Sequence, residues 1–227
     1  MSISEDNETD RLVTEFRALD TPAVSDALDR LQIAGQPVGI RPVDPSFFMC
    51  GPAWTVRYVA VDAGGGGTVG DFLDEVPKGA VVVIDNRGRM DATVWGDLMT
   101  VVAHRNGVAG TLIDGVSRDT SRAIQLGYPI FARSTFMRTG KGRVTVEALG
   151  GPVAVGEYRV DPGDLVLGDS DGVVLIPRQR ASEVLAAAQE ISAAEERIRK
   201  ALHEGVRLDD ARRAQGYHAL QAPSHPS

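Results

Sequence analysis

Two short runs, Gly96-Asp-Leu-Met99 and Asp114-Gly-Val-Ser-Arg-Asp119, contain the residue types from which a site for a small carboxylate can be built. Arg118 offers a planar fork of donors that grips a carboxylate through two parallel hydrogen bonds. Asp97 and Asp119 supply hard oxygens, which suit Mg²⁺, Mn²⁺ or another divalent cation held largely through water. Gly96 opens a helical pattern, so the amides of Leu98 and Met99 fall in a first turn. Unpaired N–H groups and the helix dipole favour an anion there.

The elements around these runs predict that they meet. Gly96 to Arg105 reads as a helix stopped by Asn106-Gly107, and Val108 to Ile113 is an apolar run expected of a strand buried on both faces, ended by Asp114-Gly115. A helix of about ten residues spans roughly 15 Å and a strand of six about 20 Å, so the returning chain brings 114–119 back beside 96–99. That loop lies beyond a strand's carboxyl end, where α/β sheets commonly bind ligands. Each residue also has a purely structural reading. Asp119 is a candidate helix N-cap, and caps are commoner than metal ligands. Arg118 is a candidate solvated surface residue, and Asp97 a complement to its own helix dipole.

The rest of the chain reads as an α/β pattern. Asp10 to Leu19 is helical in pattern, and Thr21-Pro22 starts a capped helix through about Leu31. A Gly- and Pro-rich loop covers 34–52, a strand Trp54 to Val61, a glycine cluster Gly64 to Gly67 and a short acidic helix Asp71 to Val76. Ala80 to Asp85 is a second buried strand; Asp119 to Leu126 is a helix and Pro129 to Ala132 a strand. From Val144 to Pro177 the chain turns β-rich, and a long helix follows from Ala181 to Glu204. Residues 1–9 are expected to lack structure and 206–227 to form a loose tail, leaving one compact α/β domain over 10–205.

Composition narrows the chemistry. The 227 residues hold 24 Lys+Arg against 31 Asp+Glu, a formal charge of −7. Nucleic acid is therefore not an expected partner, although a basic polypeptide is compatible with that charge. Cys50 is the only cysteine, which excludes an internal disulfide and a cysteine-built zinc site. The first residues are acidic where a secretory signal is basic and then apolar, and no 18-residue apolar run occurs, so a cytoplasmic protein with no membrane partner is expected.

Rival motifs are weaker. Gly65-x-Gly67-x-x-Gly70 imitates a dinucleotide fingerprint, but the helix after it is short for a crossover. Asp169-Ser-Asp-Gly172 hints at a calcium loop, yet Arg180 stands where the closing Glu is required, so it reads as a turn. His104, His203, His218 and His225 show no ligand spacing, and no Ser or Cys stands in a nucleophile motif.

The paired motif at 96–99 and 118–119 resembles that of the class II pyruvate aldolases, among them 4-hydroxy-4-methyl-2-oxoglutarate/4-carboxy-4-hydroxy-2-oxoadipate aldolase. It is equally similar to their relatives, the regulators of ribonuclease activity A (the RraA-like proteins). Thr21-Pro-Ala-Val-Ser-Asp-Ala27, Gly51-Pro-Ala, Pro162-Gly-Asp164 and Gly168-Asp-Ser-Asp-Gly-Val-Val174 extend the resemblance over roughly 12–205. It implies a fold like a phosphohistidine (swivelling) domain with a long C-terminal helix, assembled as a homotrimer or homohexamer with sites between subunits. The implied activity is divalent-metal-dependent cleavage of a 4-hydroxy-2-keto acid to pyruvate. Oxaloacetate decarboxylation, which passes through the same pyruvate enolate, follows as a second activity. The regulators imply the alternative, a non-enzymatic protein that binds a ribonuclease or another protein partner.

The resemblance also implies roles. Asp119 matches the metal ligand, and Arg118 the arginine on the pyruvyl carboxylate. The amides of Leu98 and Met99, next to Gly96, assist that arginine. Asp97 matches an acid that acts through metal-bound water. A glutamate from the C-terminal helix of a neighbouring subunit completes the family's site. In this chain Val184, Ala188, Ile191, Ile198 and Leu202 form an apolar seam whose missing member is Glu195, whereas Glu196 lies off it, so Glu195 is the expected residue. Specificity is expected to depend on loops such as Gly64–Gly67 and Arg87-Gly-Arg-Met-Asp91, with Arg122 or Arg138 as candidates for a second carboxylate.

Overall fold

Strands that are apolar along their whole length need cover on both faces, and the most apolar runs of this chain form the centre of one sheet. A computed structural model describes residues 3–61 and 69–217, of mixed α/β structure. The chain divides into two compact units, one formed by residues 36–178 and the other by 1–35 together with 179–227. Gly64–Gly67, His218 and His225 lie outside the described residues.

The larger unit contains β1 (Arg41–Pro42), β2 (Met49–Ala60), β3 (Val81–Thr93), β4 (Gly110–Ser117) and β5 (Ile130–Thr135). It continues with β6 (Val144–Leu149), β7 (Val153–Val155), β8 (Tyr158–Val160), β9 (Leu165–Asp169) and β10 (Gly172–Ile176). The main sheet runs β1-β5-β4-β3-β2-β9-β10, with β6 also pairing with β2; β7 and β8 form a separate hairpin. Its centre, β2 to β5, is parallel, while β1, β6, β9 and β10 pair antiparallel. Parallel neighbours need crossovers. Between β3 and β4 the crossover is the helix Asp97–Arg105, and between β4 and β5 the helix Thr120–Leu126. Between β2 and β3 the described part holds only a 3₁₀ turn, Leu73–Glu75, rather than the acidic α-helix that the sequence pattern suggests.

Two strands outrun their sequence patterns. The pattern ends the third strand at Asp85, but β3 continues to Thr93 through a wide bulge in which Asp85, Arg89 and Thr93 oppose the consecutive residues Asp114, Gly115 and Val116. The pattern ends the fourth strand at Ile113, yet every residue of β4 through Ser117 is buried. Asp114 is buried because Arg133 pairs with its Oδ1 and the Gly156 amide donates to its Oδ2 at 2.9 Å. These partners are distant in sequence and turn an apparent strand terminator into strand interior.

The second unit is helical: α1 (Ile3–Phe16), α2 (Thr21–Arg30), α5 (Ala181–His203) and α6 (Leu208–Ala214), the two crossover helices above being α3 and α4. Helix α1 starts at Ile3, within the segment expected to lack structure. Helix α6 lies in the segment expected to be a loose tail, with Asp209 and Asp210 in its first turn and Arg212 and Arg213 in its last. The cap of α2 is Asp20, one residue before Thr21, whose carboxylate accepts from the Ala23 amide at 2.9 Å. Among the described residues no helix is long and apolar enough to cross a membrane.

Glu195 belongs to this unit. The buried face of α5 runs through Val184, Ala187, Ala188, Ile191, Ala194 and Ile198, so the seam passes through Ala194, and Glu195 stands at its edge. Its side chain is 28% exposed and lies 3.7 Å from Arg199. Burial raises its pKa above the ordinary carboxylate value, Arg199 opposes that shift, and the nearby Asp26 and Asp20 add to it. A raised folded-state pKa means that the contribution of Glu195 to stability is fully present below the ordinary carboxylate pKa and lost as pH rises through the folded value. Glu195→Gln is therefore expected to raise the melting temperature near neutral pH by about 2 °C or more, a difference that fades below about pH 4. Thermal melts of both proteins across that range check it.

Candidate active site

Chain reversal at both ends of α3 creates the site. Trp95 and Gly96 leave β3, α3 runs out and β4 returns, and the Arg118 amide donates to the Trp95 carbonyl at 3.1 Å. The two motifs that are separated in sequence are thus joined through the backbone. Thr93, wholly buried at the end of β3, pins the same turn. Its Oγ1 lies 2.8 Å from the Trp95 carbonyl and 3.0 Å from the Val116 carbonyl, and accepts from the Trp95 amide at 3.2 Å. The Trp95 indole N–H donates to Thr100 Oγ1 at 3.0 Å, and that hydroxyl donates to the Gly96 carbonyl at 2.9 Å.

Asp119 does not have the geometry of the N-cap that the sequence offers as its structural reading. An N-cap has extended backbone and a side chain that accepts from an amide in the first turn. Asp119 has left-handed backbone, φ 56° and ψ 33°, and its side chain makes no capping hydrogen bond to α4. A non-glycine residue held there costs about 1–3 kcal/mol, although Asp tolerates it better than most. The carboxylate turns instead toward the start of α3. Its Oδ2 lies 3.2 Å from Arg118 Nε and 3.4 Å from the Asp97 amide. Both acidic and basic partners stay open to solvent, with side chains 41% and 38% exposed.

Gly96 permits this approach: a Cβ there would lie 3.0 Å from Asp119 Oδ2 and 3.4 Å from Arg118 Nε. Its backbone is extended, at φ −149°, so alanine adds crowding without backbone strain. Gly96→Ala is expected to weaken the binding of a small carboxylate such as oxalate roughly tenfold with an unchanged melting temperature, through displacement of those two side chains, as calorimetry and a parallel melt would measure.

The first turn of α3 corrects one expectation. The Leu98 amide is not open: it donates to Asp97 Oδ1 at 2.8 Å, because a short acid at the first helical position reaches the next N–H. The Met99 amide has no acceptor among the described residues. Leu98 itself is 77% exposed, whereas Met99 is buried with its thioether against Gly70, where a Cβ would fall 2.8 Å from Sδ.

Gly96, Asp97, Leu98, Met99 and Arg118 line a cleft of about 400 Å³ together with Asp71, Thr139 and Lys141 among others; Asp119 is not part of that lining and reaches it through Arg118 and the Asp97 amide. Thr93, Trp95, Asp71 and Lys141 are absent from the sequence-based site. The aromatic residue just before Gly96 was the one available signal; the others arrive through long-range pairing. Glu195 lies in the helical unit described above. Neither Arg122 nor Arg138 lines the cleft, and Arg122 donates to Gln125 of its own helix.

Residues 21–175 match the family model for RraA-like proteins, described as Aldolase/RraA. The chain belongs to the RraA-like family. It is similar to protein DlpA of Legionella pneumophila, at 34% identity over 93% of this chain, and spans 35% of that longer protein. It is also 34% identical, over 86% of its length and 90% of the relative, to a Halalkalibacterium halodurans protein named "putative 4-hydroxy-4-methyl-2-oxoglutarate aldolase". Among solved structures it resembles an uncharacterized protein from Pseudomonas syringae (TM-score 0.84, 40% identity, 89% of this chain and 97% of that one). It also resembles Streptomyces coelicolor RraAS2, described as an unusual member of the RNase ES inhibitor RraA family (TM-score 0.75, 29% identity, 82% and 94%). The mixed α/β fold with a long C-terminal helix is the fold of this family.

Proposed function

We propose that this RraA-like protein is a divalent-metal-dependent aldolase that cleaves a 4-hydroxy-2-keto acid, of the 4-hydroxy-4-methyl-2-oxoglutarate type, to pyruvate. The observation that carries the reading is Asp119: left-handed, free of any capping bond, and aimed with Arg118 at the start of α3. The donor chemistry fits a hard cation. Among the described residues no three or more His, Cys, Asp or Glu side chains gather as a closed metal cage. Mg²⁺ or Mn²⁺ needs no such cage, since one or two carboxylates, waters and substrate oxygens complete its shell. Asp119 would hold the ion directly and Asp97 through water; when bound, the ion would serve as a Lewis acid toward the keto oxygen.

The chain's own groups do the rest. Arg118 grips the 2-keto acid carboxylate and places positive charge where negative charge grows as the C3–C4 bond breaks. The Met99 amide is available to the same carboxylate. Asp97, with Glu195 supplied by a neighbouring copy in a trimer or hexamer, takes the proton of the C4 hydroxyl through water. The C4–O bond becomes a carbonyl, the C3–C4 electron pair passes into the pyruvate enolate, and protonation at C3 completes the products. Loss of CO₂ from oxaloacetate leaves the same enolate, so decarboxylation is a second activity.

The test is pyruvate release from 4-hydroxy-4-methyl-2-oxoglutarate, coupled to lactate dehydrogenase, with Mg²⁺ and with chelator. The reading expects turnover that chelator abolishes and Mg²⁺ restores; metal-independent turnover contradicts it. The similarity to RraAS2 and the net charge of −7 favour one other reading, a regulator that binds a basic ribonuclease. Tight capture of a ribonuclease, with no pyruvate from several 4-hydroxy-2-keto acids, selects that alternative.

A further inference from the structure

The gap between the two motifs is narrow. A Cβ on Gly96 would already fall 3.0 Å from Asp119 Oδ2 and 3.4 Å from Arg118 Nε, so a small shift of α3 against β4 changes where both side chains stand. We propose that Thr93, which takes no part in the proposed chemistry, is the positioning residue of this site. Its hydroxyl sets the start of α3 against the end of β4, and so holds Arg118 and Asp119 in register with Asp97 and the Met99 amide. This rests on the aldolase reading for its ligand, the carboxylate of a 2-keto acid, and on the contacts of Thr93 for its geometry.

A hydroxyl has one proton to give and two lone pairs to receive with. That of Thr93, in a buried side chain, shares its proton between the Trp95 carbonyl at 2.8 Å and the Val116 carbonyl at 3.0 Å, and accepts from the Trp95 amide at 3.2 Å. Trp95 leads into α3, and Val116 stands two residues before Arg118, so one side chain ties the roots of both motifs. The Trp95 carbonyl also receives the Arg118 amide at 3.1 Å, which brings the arginine's own backbone to the same point. Thr100, the other hydroxyl at this turn, works differently. It accepts from the Trp95 indole and donates to the Gly96 carbonyl, so both partners lie within 95–100 and it stiffens the turn without tying it to β4. The backbone of Thr93 has a separate task. Its amide donates to the Arg138 carbonyl at 3.0 Å, it bridges to Thr139, and Gly140 passes so close that a Cβ there would fall 2.2 Å from the Thr93 carbonyl oxygen. Those contacts do not involve the side chain, so a substitution at Thr93 isolates the hydroxyl. Valine has nearly the same shape and keeps the β-branch that suits a strand. It leaves the buried Trp95 amide without its acceptor and the Val116 carbonyl without the shared proton. The relief open to the backbone is a shift of Trp95 and Gly96 relative to β4, across the gap in which Arg118 and Asp119 stand.

The experiment is calorimetric binding of oxalate with Mg²⁺ to the intact chain, Thr93→Val, Thr93→Ser and Val160→Ala, each with a thermal melt. Val160 is fully buried in β8 and does not line the cleft, so its truncation lowers the melting temperature without touching the turn. Thr93→Val is expected to bind oxalate about tenfold or more weakly than the intact chain, and Thr93→Ser to stay within about twofold of it. Val160→Ala binds as the intact chain does despite its lower melting temperature. Thr93→Ala takes the place of Thr93→Val should the latter not fold, with the same expected loss. Unchanged affinity in Thr93→Val, or a loss in Thr93→Ser as large as in Thr93→Val, overturns the positioning role. A loss in Val160→Ala that follows its melting temperature as in Thr93→Val overturns it too, because general stability then explains both. No binding by the intact chain removes the carboxylate site and this proposal with it. A hydroxyl-dependent affinity in a protein that releases no pyruvate keeps the positioning role and removes the aldolase reading.

Discussion

Asp119→Gly is expected to cost more than about 100-fold in pyruvate release, the upper end of what loss of a group merely supporting a metal ligand costs. It is expected to leave stability within about 1 kcal/mol of the parent. The two halves of this result have different origins. Asp119 sits at φ 56°, where glycine pays no Cβ penalty, so the substitution removes backbone strain while adding freedom to the unfolded chain. The carboxylate makes no bond to the helix that follows, so the fold loses little with it. What disappears is the oxygen facing Arg118 and the start of α3. Asp119→Asn, which tolerates the same backbone, is expected to lose activity to a similar degree, whereas Asp119→Ala loses both activity and stability. A series in which activity follows the melting temperature, rather than the carboxylate, contradicts a ligand role.

Arg118→Lys is expected to lower kcat/KM about 100-fold, in the range of roughly 2.7–4 kcal/mol found for losing one donor that stabilises a developing oxyanion. Lysine keeps the charge but loses the fork. In the structure Arg118 Nε faces Asp119 Oδ2 at 3.2 Å, which leaves its two terminal nitrogens for a ligand. Lysine cannot pair with Asp119 and hold a carboxylate bidentately at once. With a side chain 38% exposed, Arg118 contributes little to packing, and the variant is expected to melt as the parent does. Steady-state kinetics with a parallel thermal melt separates these effects. Wild-type kcat/KM in the lysine variant reduces Arg118 to a surface charge.

The convergence of the two motifs was legible because it depends on local quantities: the length of α3, the stop at Asn106-Gly107 and the apolar run of β4. The functional reading of Asp119 was not separable from capping, because both use the same residue type at the same position. The backbone angle and the direction of the carboxylate remove the capping reading, and neither is visible in a local pattern. The end of β4 was misplaced because burial of Asp114 depends on Arg133 and Gly156, which no local pattern announces. Lys141 was hidden for a similar reason. It reaches the cleft through the pairing of Thr93 with Thr139 and the close passage of Gly140, a contact between remote segments. Arg122 and Arg138, the candidates for a second carboxylate, do not line the cleft, and Arg122 lies on a helix surface with Gln125 as its partner. For Glu195 the periodicity places the residue on the apolar seam of α5, whereas the buried face passes through Ala194 and leaves Glu195 at its edge.

Binding of Mn²⁺ in the presence of oxalate, a planar mimic of the pyruvate enolate, tests the central claim most directly when followed by electron paramagnetic resonance in the intact chain and in Asp119→Gly. The account predicts that the intact chain takes up Mn²⁺, that oxalate tightens this binding, and that the glycine variant leaves the ion free in solution. Equal uptake by both proteins would contradict it.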